Sequence, residues 1–108
     1  AHLADCFQPA VLRLIRHVIE TEPLLHRTGD SRGGFVSMCG EMASDTGAVP
    51  LLLGMGLRRF SMAAQKIPEI AQRIESIRIS DAEALCEAVS RLDAAEEIRR
   101  ETMKRFPL

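Results

Sequence analysis

Apolar residues recur at helical spacing through Val11, Leu12, Ile15, Val18 and Ile19, while Arg13, Arg16, His17 and Glu20 fall off that stripe. The pattern predicts an amphipathic helix that opens at Pro9, where a missing N–H costs nothing, and ends at Pro23. Residues 1–8 ahead of it show no clear period. Leu24 to Gly34, LLHRTGDSRGG, reads as a polar turn region and surface loop. Its glycines fit neither the GxxxxGK[ST] nor the GxGxxG order of phosphate-binding loops. Phe35 to Met38 is apolar apart from Ser37, the pattern of a strand covered on both faces. Asp45 can cap a helix expected from about Thr46 to Met55, carrying Val49, Leu51, Leu52 and Leu53, with Pro50 in its first turn. Gly54 and Gly56 are signals for its C-terminal end, and Leu57 to Met62 reads as a second strand.

Beyond Met62 the pattern is wholly helical. Ile67, Ile70, Ala71, Ile74 and Ile77 form one stripe, with Pro68 in the opening turn. Ser80-Asp81-Ala82-Glu83 has the S-x-x-E form of a capping box and predicts a helix bearing Ala82, Leu85, Cys86 and Val89. Asp93-Ala94-Ala95-Glu96 suggests a similar start for a last helix, with Ala95, Ile98 and Phe106 on its apolar side, Met103 at the edge and polar Thr102 interrupting it. These three helices read as packing rather than chemistry. The order helix, strand, helix, strand implies α/β architecture with a parallel sheet or barrel. Two strands buried on both faces cannot complete such a sheet, so neighbours are expected from outside the chain or from another copy.

Composition narrows the function classes. With 46% hydrophobic and 27% charged residues, the 108-residue chain suits one globular domain with a modest core. A formal net charge of −1, no Trp and no Tyr argue against nucleic acid or an anionic membrane as partner. No run of about 18 apolar residues exists to span a bilayer. The chain starts at Ala1, without an initiator methionine and within an ongoing pattern, as expected of a fragment or a processed product. Three widely spaced cysteines, Cys6, Cys39 and Cys86, argue against a disulfide framework and for a reducing, cytoplasmic setting. No CxxC or close His/Cys pairing supports a structural zinc site.

The candidate chemistry lies in FVSMCGEMASD, residues 35–45. Cys39 closes the strand, Gly40 frees the backbone to turn, and Glu41 adds a carboxylate. In α/β sheets and barrels, sites are built at that end of a strand. Cys39 is therefore either a working thiol or a small buried hydrophobe. Glu41 could disfavour the thiolate and keep Cys39 a proton donor, accept a supporting hydrogen bond, or stand solvated. Cys86, on an apolar stripe, and Cys6, with no partner motif, read as buried. His2, His17 and His26 form no ligand or triad spacing; Arg58 and Arg59 could meet an anion but read as solvated; the five methionines read as core filler.

MCGEMASD followed by VPLLLGMGLRRFSMAAQKIP resembles the C-terminal part of the enzyme I branch of the PEP-utilising enzyme family, the phosphoenolpyruvate-protein phosphotransferases of the bacterial phosphotransferase system. The PAVLRLIRHVI helix and the HL before it share the resemblance, which weakens after Ser80. The segment Glu22 to Gly34 departs from the family in being longer. The resemblance implies the end of a (β/α)8 TIM-type barrel, incomplete alone, with residues 1–79 as its last βα units and 80–108 as C-terminal helices. It implies that the parent enzyme moves the phosphoryl group of phosphoenolpyruvate to its own histidine and on to the phosphocarrier protein HPr, in sugar transport. Cys39 matches the family's proton donor to the pyruvate enolate, with Gly40 and Glu41 supporting it. A thiol titrating near 8.5 is mostly protonated at neutral pH, as that role requires. Mg²⁺, its carboxylate ligands, the phosphate-gripping arginines and the phosphohistidine are implied for other segments of the parent, a cytoplasmic homodimer, so the 108 residues alone should be inactive. The alternatives are a catalytically silent interaction or dimerisation module and, less well supported without a second cysteine near Cys39, a thiol redox protein.

Overall fold

A computed structural model describes residues 7–25, 37–39 and 41–108. The elements run α1 (Pro9–Leu25), β1 (Ser37–Cys39), α2 (Val49–Met55), β2 (Arg59–Ser61), α3 (Ile67–Glu75), α4 (Ile79–Val89) and α5 (Ala95–Arg105), with short 3-10 helices at Glu41–Ser44 and Ala64–Lys66. β1 and β2 pair in parallel, with Ser37 opposite Arg59, Met38 opposite Phe60 and Cys39 opposite Ser61. The expected α/β class and parallel pairing are therefore present, joined by a crossover that contains α2.

α2 is the centre of the packing. Val49 to Leu53 and Met55 are all buried, so this short helix is apolar around nearly its whole circumference. Its main partner is α4, which places Ala82, Leu85, Cys86 and Val89 against it, the four positions read from the sequence stripe. Gly54, expected to end α2, lies inside it. A Cβ there would strike the Ala82 carbonyl and come within 2.6 Å of the Cys86 sulfur, so the missing side chain is what lets the two backbones meet. Gly56 does end the helix, in a left-handed conformation at φ 106°. Phe7, Leu12, Leu57 and Ile98 fill the rest of the larger core cluster. Ile70 and Ile77 join Val49, Leu53 and Ala82 in a second one.

Several boundaries differ from the sequence expectation. α1 continues through Pro23 to Leu25, because proline's fixed φ is helical and its place near the helix end limits the loss to one bond toward Ile19. Residues 26–34 of the expected loop, with His26, lie outside the described residues, as do Phe35, Val36, His2 and Cys6. β2 is shorter than read, β1 takes in Cys39 beyond Met38, and Ser37, Arg59 and Ser61 are exposed rather than covered on both faces. A two-stranded ribbon with no other described strand beside it leaves those positions open. α4 begins at Ile79, with Arg78 as its cap and no side-chain capping bond, so Ser80 is already within the helix and forms no capping box. α5 likewise starts from Ala94 without a side-chain cap. In the α3 stripe Ile70 and Ile77 are buried, whereas Ile67 and Ala71 face outward. Thr102 does not interrupt the apolar side of α5 but sits fully buried in it, donating its hydroxyl to the Ile98 carbonyl at 2.8 Å.

Candidate functional site

Cys39 is the last residue of β1, and its backbone lies in register with Ser61 at the end of β2. Both strands therefore finish at the same level, and the segments after them leave from one end of the ladder. Gly40 lies outside the described residues, as do the side chains of Cys39 and Glu41. The backbone places Glu41 at the start of the 3-10 helix that runs to Ser44. Candidate thiol and carboxylate are thus two residues apart, one ending a strand and the other opening a helical turn.

The segment after the 3-10 helix is tied down closely. The Asp45 N–H donates to the Met42 carbonyl at 3.4 Å. Asp45 Oδ1 accepts from the Gly47 N–H at 2.9 Å, and the Asp45 carbonyl accepts from the Ala48 N–H at 3.0 Å. Asp45 therefore organises a turn rather than capping α2, whose cap Ala48 has no side-chain bond. Ala43, Gly47 and Ala48 are buried. A Cβ on Gly47 would lie 2.8 Å from Met103 Cε, with the Phe7 ring 3.9 Å away, so α5 and the chain before α1 floor this turn. Arg99 sits over the same Phe7 ring, 4.2 Å from its centroid.

Three arginines were open questions or went unremarked. Arg58 is not simply solvated: one guanidinium nitrogen donates to the carbonyls of Leu53 at 2.8 Å and Leu57 at 2.9 Å, closing the end of α2. Arg59 is exposed on β2. Arg73, on α3, received no role from spacing. Its guanidinium donates to the carbonyls of Thr46 at 3.1 Å, Pro107 at 3.0 Å and Phe106 at 2.6 Å. No sequence signal marks such a residue, because its acceptors are main-chain atoms of distant segments.

Cys86 is buried, as read, at 4% exposure, and its thiol donates to the Leu51 carbonyl. His17 is exposed on α1. Among the described residues there is no group of three or more His, Cys, Asp or Glu that could hold a metal ion. No described helix is long and apolar enough to cross a membrane.

A family model described as PEP-utilising enzyme, PEP-binding domain, matches residues 1–79. The chain is 41% identical over 98 residues to the phosphoenolpyruvate-protein phosphotransferase of Geobacillus stearothermophilus, covering 91% of this chain and 16% of that protein. Over the same span and coverage it is 38% identical to the proteins of that name from Haemophilus influenzae and Bacillus subtilis. The chain thus spans about a sixth of the length of these curated relatives.

Proposed function

The chain belongs to the PEP-binding domain family of the PEP-utilising enzymes, and from that premise we propose that it is the C-terminal segment of a phosphoenolpyruvate-protein phosphotransferase. Similarity over 91% of the chain to proteins of that name is the observation that carries the reading. In this reading residues 1–79 form the last βα units of a (β/α)8 barrel and residues 80–108 are C-terminal helices. The parallel β1–β2 pair and the helices around it are compatible with that placement. The parent, a cytoplasmic homodimer, transfers the phosphoryl group of phosphoenolpyruvate to its own histidine and then to HPr. Mg²⁺ is held by carboxylates elsewhere in the parent and supplies charge neutralisation at the phosphoryl group.

Cys39 is the proposed general acid. Loss of the phosphoryl group leaves the enolate of pyruvate, whose C3 takes the Cys39 proton, leaving the thiolate; in reverse the thiolate removes a proton from the pyruvate methyl group. Gly40 and Glu41 support the thiol. The position of Cys39 at the end of a parallel strand supports this role. A segment with one candidate proton donor cannot itself neutralise a transferring phosphoryl group, so the 108 residues alone are expected to be inactive.

The test is Cys39→Ala in the full-length enzyme. Pyruvate formation from phosphoenolpyruvate should fall by about a hundredfold or more. Near-normal single-turnover phosphorylation and pyruvate release would overturn the general-acid role. A second reading, a silent interaction module, is favoured by the exposed strand positions Arg59 and Ser61 and by Leu14, 64% exposed on α1. Mixing the segment with the complementary upstream part and assaying phosphoenolpyruvate turnover separates the two. Recovered turnover supports the enzyme segment, and association without turnover supports the module.

A further inference from the structure

The guanidinium of Arg73 joins three pieces of chain that are far apart in sequence. It is carried by α3, the helix that follows β2. Its Nε reaches back to Thr46, in the turn between the Cys39 segment and α2, and its two terminal nitrogens reach forward to Phe106 and Pro107 in the C-terminal tail. All three acceptors are main-chain carbonyls, so the contacts fix backbone position rather than pair charges. Arginine suits this because its planar fork can meet acceptors lying in different directions at once, which a lysine ammonium on a flexible stem does not reproduce. Arg73 is half-buried, and this partial desolvation lowers its pKa from the ordinary arginine value.

The turn that Arg73 holds is short and already constrained. Thr46 lies between Asp45, whose carboxylate and carbonyl take the Gly47 and Ala48 amides, and the buried start of α2. On its other side lies the 3-10 helix Glu41–Ser44, whose first residue is two positions after Cys39 in the chain. Phe106, whose carbonyl Arg73 holds at 2.6 Å, is itself half-buried against both core clusters. The tail is thereby anchored at one end by its side chain and at the other by the guanidinium.

We propose that Arg73 is a positioning residue that locks the C-terminal tail and the turn at Thr46 into one scaffold, so that the tail helps fix the 41–48 backbone that follows Cys39 in the chain. The tie itself stands on the hydrogen bonds; only its catalytic consequence rests on the reading of Cys39 as general acid. Hydrogen exchange by mass spectrometry on the full-length protein tests the tie, comparing wild type with Arg73→Met and Arg73→Lys. The peptide spanning residues 41–48 should exchange about tenfold faster in Arg73→Met, the loss expected for bonds from a charged donor. A peptide from α4, residues 82–89, should be unchanged. Arg73→Lys should fall between the two. If Arg73→Met loosens the whole protein, Arg73→Lys decides, and unaltered exchange in 41–48 overturns the tie.

Steady-state kinetics on the same variants test the positioning role. Arg73→Met should lower kcat for pyruvate formation with little change in the KM for phosphoenolpyruvate, and Arg73→Lys should restore part of it. A loosened turn with unchanged kcat would overturn positioning. Cys39→Ala, assayed alongside, keeps the two ideas apart: normal turnover in that variant removes the general-acid reading and leaves the exchange result standing.

Discussion

The thiol of Cys86 donates a hydrogen bond to the Leu51 carbonyl at 3.3 Å, across the face where α4 lies on α2. That contact puts an ionisable group inside the larger core cluster. Burial pushes the thiol from an ordinary 9.0 up to about 11; Arg16 pulls it down by a lesser amount, and Glu83 and Glu87 push it further up.

A pH dependence of stability follows. Because the folded-state pKa is raised, the contribution is fully present below about pH 9 and is lost as pH rises toward 11. The loss amounts to roughly 3 kcal/mol above pH 11, at about 1.4 kcal/mol for each unit of the shift. Chemical denaturation measured from pH 8 to 11 should show it, and Cys86→Ala should flatten that part of the curve. Equal slopes in the two proteins would show that Cys86 is not the group responsible.

Gly54→Ala should be severely destabilising although it gains about 1 kcal/mol of helix propensity. The new methyl meets the Ala82 backbone, which cannot swing aside as a side chain could. A net cost of about 3 kcal/mol is expected from overpacking, read as a lower denaturation midpoint. A midpoint within error of wild type would show that α2 and α4 can separate freely.

At Gly56 the cause differs. The left-handed backbone at φ 106° costs an alanine roughly 1–2 kcal/mol, and its Cβ would also lie 3.2 Å from Ile19 Cγ2. Gly56→Asn should recover part of that cost relative to Gly56→Ala, because asparagine tolerates this conformation, whereas at Gly54 no larger residue should do better than alanine.

Thr102 separates the value of a buried hydroxyl from that of a buried methyl. Its hydroxyl bonds within its own helix, to Ile98. Thr102→Ser keeps that bond and should cost about 1 kcal/mol for the lost methyl. Thr102→Val should cost less, since no buried acceptor loses its sole partner: the Ile98 carbonyl is in the helix ladder. Thermal unfolding of the pair checks the order.

What the sequence disclosed depended on whether the cause was local. The α4 stripe of Ala82, Leu85, Cys86 and Val89 was legible because a 3.6-residue period records which side faces the core. The strand order and parallel pairing followed from alternation with helices. Ser80 misled because its S-x-x-E spacing fits a cap, yet Arg78 already holds the extended backbone that precedes α4, at ψ 129°. Gly54 misled because a glycine needed for close approach and a glycine needed for a turn look alike in sequence. Phe7 sat in a stretch without period yet is 1% exposed, since it is buried by α5 and the turn at Gly47 rather than by its own neighbours. Within the candidate site, the position of Cys39 at a strand end was readable; Arg73 was not, because a bond from a side chain to a remote carbonyl leaves no trace in the residue that accepts it.

The three-rung parallel ladder also bears on the order of assembly. Its rungs join residues about twenty positions apart, so the ladder cannot close until the crossover carrying α2 has compacted. The site-bearing end at Cys39 and Ser61 is therefore completed only once that crossover is in place. Pulse-labelling during refolding should find amides of α2 protected no later than those of β1. A crossover slowed at α2 should then delay protection of the β1 amides to the same extent.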